Sequence, residues 1–280
     1  MKNKYSGTFT GERALFHIEN ALIKKSIFLD GESPLKESRN LVVDSCVFQW
    51  KYPLWYCKDV EVKNTIFEIN ARSGIWYTEN IRMENCNIIA PKEFRRSKGI
   101  TLVNCKFDNA QETLWNCEDI KLVNIKAEGD YFGMNSKNIT IENLNLVGNY
   151  AFDGSKNITI KNSRLESRDS FWNCENVVVE NCTIIGEYLA WNTKNITFIN
   201  CKIESHQGLC YIDGLKMINC EIVNSDLCFE FCKNVDAEIT SHVDSIKNPY
   251  SGKIKVKSVG ELILDNNLID LSKVDIKVEK

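Results

Sequence analysis

The sequence predicts an all-β fold, a single-stranded right-handed parallel β-helix. Three observations carry the prediction: a repeat of about 19 residues, a strictly alternating apolar pattern inside each repeat, and an asparagine at one fixed place in successive repeats. The repeat is plainest where Ser136-Lys-Asn-Ile-Thr-Ile-Glu-Asn143 returns as Ser155-Lys-Asn-Ile-Thr-Ile-Lys-Asn162. Further copies are Cys174-Glu-Asn-Val-Val-Val-Glu-Asn181 and Thr193-Lys-Asn-Ile-Thr-Phe-Ile-Asn200. Taking the third residue of each copy as an anchor gives Asn40, Asp59, Asn80, Gly99, Asp119, Asn138, Asn157, Asn176, Asn195, Gly214 and Asn234. That amounts to about 11–12 coils once the partial ends are included.

Each anchor is polar or glycine, as a turn requires. Apolar residues follow at alternate positions, such as Ile139 and Ile141, so one face of a first strand points inward. A second Asn falls five residues after the anchor in nine consecutive coils, from Asn64 through Asn143 to Asn219. Asn tolerates the left-handed backbone and can bond to its copy one strand spacing away, so this column reads as a structural ladder. A short second strand follows, then a third strand ending just before the next anchor. The three-strand coil has neither the Leu consensus nor the helical half of a leucine-rich repeat.

The same columns account for ten of the 12 Cys. Cys46, Cys86, Cys105, Cys182, Cys201 and Cys220 alternate with Thr65, Ile125, Leu144 and Ser163; Cys57, Cys117, Cys174 and Cys232 alternate with Thr78, Ser136, Ser155 and Thr193. Exchange with Ser, Thr and Leu marks small core residues, and no paired metal-ligand spacing is present, so neither a metal nor another cofactor is expected. The net charge of −3, with signs interspersed, argues against a nucleic-acid surface. No stretch has the apolar length of a signal peptide or membrane span, so a soluble cytoplasmic protein without membrane contact is expected. The repeat suggests one domain over 1–280, with a partial coil at 1–19, regular coils at 20–240 and an irregular cap at 241–280.

An Asn ladder in a three-strand coil resembles the right-handed β-helix of the pectate lyase, pectin lyase and polygalacturonase superfamily. Blocks such as Phe9-Thr-Gly-Glu-Arg-Ala-Leu-Phe16, Asp30-Gly-Glu-Ser-Pro-Leu-Lys-Glu-Ser38, Lys51-Tyr-Pro-Leu-Trp-Tyr56 and Tyr131-Phe-Gly-Met-Asn135 look like a bacterial branch of that fold with no assigned reaction. The Asp-Asp pair and Gly-His-Gly of the polygalacturonases are missing, as is any match to the calcium carboxylates and catalytic Arg of the pectate lyases. No catalytic residue therefore carries over. The resemblance implies a cleft on the outer face of the third strand.

Five residues before each anchor stands an apolar or small column, Leu35, Leu54, Ile75, Phe94, Leu114, Gly133, Phe152, Phe171, Ala190, Leu209 and Phe229, which should point inward. Its outward successor is Lys36, Trp55, Trp76, Arg95, Trp115, Met134, Asp153, Trp172, Trp191, Cys210 and Glu230. Five of the six Trp share this face, and contiguous exposed aromatic surface marks an interaction site. Trp55, Trp76, Trp115, Trp172 and Trp191 are candidates to stack on sugars, with Lys36, Lys51, Arg72 and Arg95 as substrate-binding cations. A neighbouring column holds Arg168, Glu187, His206 and Asp226 in alternating sign. His206 between two carboxylates is placed as a general acid or base, and Arg168, Glu187, Asp153 and Glu230 complete the catalytic candidates. A charge ladder that only stabilises the stack is the plainer reading of that column.

The function expected is carbohydrate binding, or oligosaccharide lyase, hydrolase or epimerase chemistry. The alternative is a scaffold or homo-oligomerisation module that uses the Trp row as a protein interface.

Overall fold

The structure, a computed structural model, describes residues 3–279. The chain forms an all-β parallel solenoid of about 15 turns, with no α-helix among the described residues. It divides into two compact units, 1–145 and 146–280. No helix among the described residues is long and apolar enough to cross a membrane.

In unit 1 the first side of each coil is a strand with alternating burial, as in Arg39–Asp44, Lys58–Lys63, Glu79–Glu84 and Lys98–Val103. Parallel pairing stacks Leu41 on Val60, Ile81, Ile100 and Ile120. The second side is shorter and stacks Phe28, Phe48, Phe67, Ile88 and Phe107. Inside it, the rings of Phe9, Phe28, Phe48 and Phe67 lie 4.7–5.1 Å apart, so one column of one residue type becomes one continuous core seam. Unit 2 repeats the plan, with Ile158 on Val177, Ile196 and Leu215, and Leu165 on Ile184, Ile203 and Ile222. Parallel stacking continues past the last regular anchor, from Val235–Lys247 to Gly252–Ile263 and on to Val274–Val278.

The third side departs from the expected strand. Its residues bond to the next coil, as Tyr56 N–H to Trp76 O (2.9 Å) and Arg96 N–H to Trp115 O (3.0 Å) do. Yet the regular ladder there is reduced to isolated bridges, from Trp76 to Arg95 and Arg95 to Trp115 in unit 1 and from Cys228 to Ile246 in unit 2. The cause is local: Tyr56, Tyr77, Arg96 and Asn116 in unit 1, and Asn173, Asn192, Tyr211 and Phe231 in unit 2, all have φ between 51° and 58°. Further left-handed residues stand two positions apart along the same side, as Lys92 and Phe94 do before Arg96 and Glu112 and Leu114 before Asn116, which leaves no extended run to pair as a strand.

The corners are held by side-chain amides. Asn104, Asn124 and Asn143 each donate Nδ2 to the Asn one coil before, at 2.8–3.2 Å, and in unit 2 Asn181, Asn200 and Asn219 do the same. A second ladder, not foreseen, runs through the anchors: Asn80 to Asp59 and Asn138 to Asp119 in unit 1, Asn176 to Asn157 and Asn195 to Asn176 in unit 2. All these residues are left-handed. The ladder thus does two jobs, tolerating the corner backbone and tying one coil to the next.

Those two jobs are separable. Asn181→Ala removes both amide bonds and puts a Cβ without compensation in the left-handed region, so it should cost about 2 kcal/mol. Asn181→Gly keeps the backbone easy and should cost about 1 kcal/mol. Urea midpoints of the two variants check this; equal losses would show that the corner backbone carries no penalty.

Candidate functional site

Every member of the column five before the anchor is buried, Leu35, Leu54, Ile75 and Phe94 completely. The residue after it therefore faces outward, and in unit 1 Trp55, Trp76, Arg95 and Trp115 stand in line. They are half-buried rather than open, because they cover one another. Trp55 and Trp76 stack face to face, 5.3 Å apart and 9° from parallel. The Arg95 guanidinium lies between the rings of Trp76 and Trp115, 4.6 and 4.7 Å from their centroids. The indole N–H groups of Trp76 and Trp115 donate to the carbonyls of Lys92 and Tyr131 at 2.9 and 2.6 Å. Glu112 pairs with both Arg95 (3.1 Å) and Lys92 (3.2 Å). Arg95 is thus a cationic rung of an aromatic ladder, its two faces and one amino group already engaged.

One residue further on, Tyr56 and Tyr77 form a second stack, 4.7 Å apart and 4° from parallel. Tyr56 is 47% exposed. It lines a groove of about 610 Å³ with His17, Lys36, Glu37, Arg39, Lys58, Tyr77 and Glu79. The Lys36 ammonium lies 5.5 Å from the Tyr56 ring centre, and Lys58 pairs with Glu79 at 3.3 Å. Lys51 pairs with Glu32 at 3.2 Å, and Arg72 is exposed.

In unit 2, Trp172 and Trp191 meet edge to face at 5.6 Å, and Trp191 stacks on Tyr211 at 5.4 Å. Phe231 and Tyr250 extend the line. The charge column resolves into pairs: Arg168 with Glu187 at 3.0 Å and His206 Nδ1 with Asp226 at 2.6 Å, all largely exposed. Asp153 accepts a bond from Asn173, which in turn accepts one from Asn192. The column expected to face outward turns inward at Cys210 (2% exposed) and Glu230 (6%). Gln207 and Lys247 reach Glu230 at 2.6 and 2.8 Å and cover it.

All 12 Cys are free and buried. Burial pushes the Cys57, Cys117 and Cys210 thiols up to about 12, so they stay protonated and are poor nucleophiles. Among the described residues no group of three or more His, Cys, Asp or Glu is arranged to hold a metal.

Two buried acids were missed. Asp169 in unit 2 is 2% exposed, and burial, with the Glu187 and Asp153 charges adding and Arg168 opposing, lifts its carboxyl to about 6. Glu93 in unit 1 is fully buried, and burial holds its carboxyl well above the usual range. The amides of Gly74 and Ile75 face it and offset part of that cost, without closing hydrogen bonds of normal geometry. Gly74 is what lets it fit: a Cβ there would stand 2.5 Å from Glu93 Oε2. A signal did exist, because Glu93 shares its column with Pro53, Gly74, Thr113, Ala151 and Leu189, a buried register.

Comparison with known proteins bears on fold. The tailspike of E. coli bacteriophage HK620, determined with a hexasaccharide, aligns over 96% of this chain and 72% of its own, at 10% identity and a TM-score of 0.50. The Streptococcus pneumoniae surface adhesin PfbA aligns over 93% and 80%, at 11% identity and a TM-score of 0.43. The A-module of the mannuronan C-5 epimerase AlgE4 of Azotobacter vinelandii aligns over 99% and 88%, at 8% and 0.31. No curated protein matches the sequence.

Two predictions test the ladder and the buried acid. Arg95→Ala removes two cation–π contacts and an ion pair and should cost about 2 kcal/mol. A double-mutant cycle with Trp115→Leu should show coupling, and strictly additive losses would refute the stacking. For Glu93 the sign follows from its raised value in the fold: the stability it contributes is complete below the ordinary glutamate value of 4.5 and is lost as pH rises through the folded value. The native chain should therefore lose thermal stability between pH 5 and pH 8 relative to Glu93→Gln. Parallel melting-temperature profiles would count against it.

Residues 2–277 match the profile of one family along nearly their whole length, and the chain belongs to that family, the proteins of unknown function DUF3737.

Proposed function

We propose that the chain is a saccharide-binding protein whose site lies on the third side of its coils, with the Tyr56–Tyr77 groove of unit 1 as its centre. The observation that carries the reading is the Tyr56–Tyr77 stack, Tyr56 exposed and Tyr77 half-buried, set in a groove rimmed by charges of both signs. Tyr presents an apolar body and a polar tip, which suits a ligand with apolar ring faces and many hydroxyls. The Trp residues have a different part in this reading. Their faces are taken by one another and by Arg95 and their rings are half-buried, whereas Tyr56, though stacked on Tyr77, keeps nearly half its surface open, so the Trp residues stiffen the wall of the groove instead of receiving the ligand. The hexasaccharide on the tailspike belongs to that protein; what this chain shares with it is the solenoid.

Binding is favoured over turnover by how the candidate acids are engaged. Glu187 is paired with Arg168, His206 with Asp226, Glu230 with Lys247 and Gln207, and Asp153 with Asn173. Hydrolysis of a glycosidic bond needs a protonated acid and a second carboxylate on opposite sides of that bond.

Titration of the chain on a glycan array, followed by calorimetry with the best ligand, tests the proposal. Tyr56→Ala with Tyr77→Ala should weaken binding at least tenfold, with each stacking ring contributing on the order of 0.5–1.5 kcal/mol. Binding undiminished in the double variant would remove the groove, and an array without a ligand would remove the saccharide.

A further inference from the structure

The corner groove of unit 1 is built from equivalent positions of successive coils. His17, Glu37, Tyr56 and Tyr77 form one wall, and Arg39, Lys58 and Glu79 the other. Adjacent parallel strands are about 4.8 Å apart, so the groove advances by roughly that distance per coil. This is close to the length of one hexose unit in a linear chain. A ligand lying along the stack therefore meets an equivalent pair of walls at every sugar.

The charges of the groove are mostly spent on one another. Lys58 pairs with Glu79 at 3.3 Å, and Glu37 draws both His17 and Lys36, each at 3.8 Å. Arg39 has no ion-pair partner among the described residues, and its side chain stands exposed at the groove. Three permanent cations face two carboxylates. A polyanion would be repelled by Glu37 and Glu79, and a fully neutral ligand would leave Arg39 unmatched. Guanidinium offers a planar fork of donors suited to an oxyanion.

Resting on the saccharide reading above, we infer that this groove takes a linear oligosaccharide parallel to the stack, one sugar per coil, with a single anionic group seated against Arg39. The anion is a carboxylate, a sulfate ester or a phosphate ester; all three present oxygens to the same fork.

Calorimetry of the full chain separates the possibilities. The probes are maltotriose, cellotriose and chitotriose, each beside its forms carrying one uronic acid, one 6-sulfate or one 6-phosphate. One acidic form should bind at least tenfold more tightly than its neutral parent, and which of the three does so identifies the anion. The advantage should shrink as salt is raised, because Arg39 is open to solvent. Arg39→Gln should bring the ratio of acidic to neutral affinity to about one, and Arg39→Lys, which keeps the charge without the fork, should recover part of it. Circular dichroism of both variants confirms the fold. Neutral parents that bind as well as every acidic form, or a preference that survives Arg39→Gln, would overturn the inference and leave the saccharide reading standing. Failure of every probe would overturn both.

Discussion

The strands of each coil satisfy their backbone through the coil on either side, and everything else in this protein follows from that dependence. A strand such as Lys58–Lys63 has no partner within its own coil; it bonds to Arg39–Asp44 and to Glu79–Glu84. Equivalent residues are thereby held one strand spacing apart. A column of identical residues becomes a column of contacts: phenylalanines stack, asparagines bond amide to amide, tryptophans lie ring on ring. Chemistry that would be worth little at a single site is repeated coil after coil, as in other solenoids.

That repetition explains why so much was legible in the sequence. Once the period is known, each residue has a column, and a column has one direction. The inward row from Leu35 to Phe229 is buried throughout, and ten of the free, buried cysteines sit where exchange with Ser, Thr and Leu placed them. The Asn after each first strand forms the expected ladder. What a column does not reveal is which groups occupy the space in front of it. Glu230 lies in an outward column, yet it is covered by Lys247 from a later coil, beyond the regular repeat. Trp76 and Trp115 face outward as read, but Arg95 between them closes the ring faces that the same reading assigned to a ligand. The third side read as a strand because an outward column directly follows an inward one. Left-handed residues recur along it, such as Glu112, Leu114 and Asn116, and the direction of a column does not report φ.

The buried acids show the limit from the opposite direction. A column tolerates an exception when its neighbour gives way. Glu93 is possible because Gly74, one coil earlier in the same column, has no side chain, and because that coil leaves two amides facing the cavity so formed. Desolvation of a carboxylate costs several kcal/mol unless it is paired or protonated, and here protonation is the available remedy. Neither residue is unusual alone; the pair is, and only stacking makes them a pair.

Stacking also decides which aromatic faces stay open. On a flat side of the coil, a row of aromatic residues satisfies itself, since each ring finds its nearest apolar surface in the next coil about 5 Å away. Such a row adds stability and loses the open faces that recognition needs. A corner is different. Where the backbone turns through a left-handed residue, adjacent columns splay, and side chains on either side of the turn face each other across a gap. The Tyr56–Tyr77 pair stands on one lip of such a gap and Arg39 on the other, with the buried Cys57 between them at its floor. In a solenoid whose flat rows are closed by their own repetition, the corners are where polar and aromatic groups remain open to a partner.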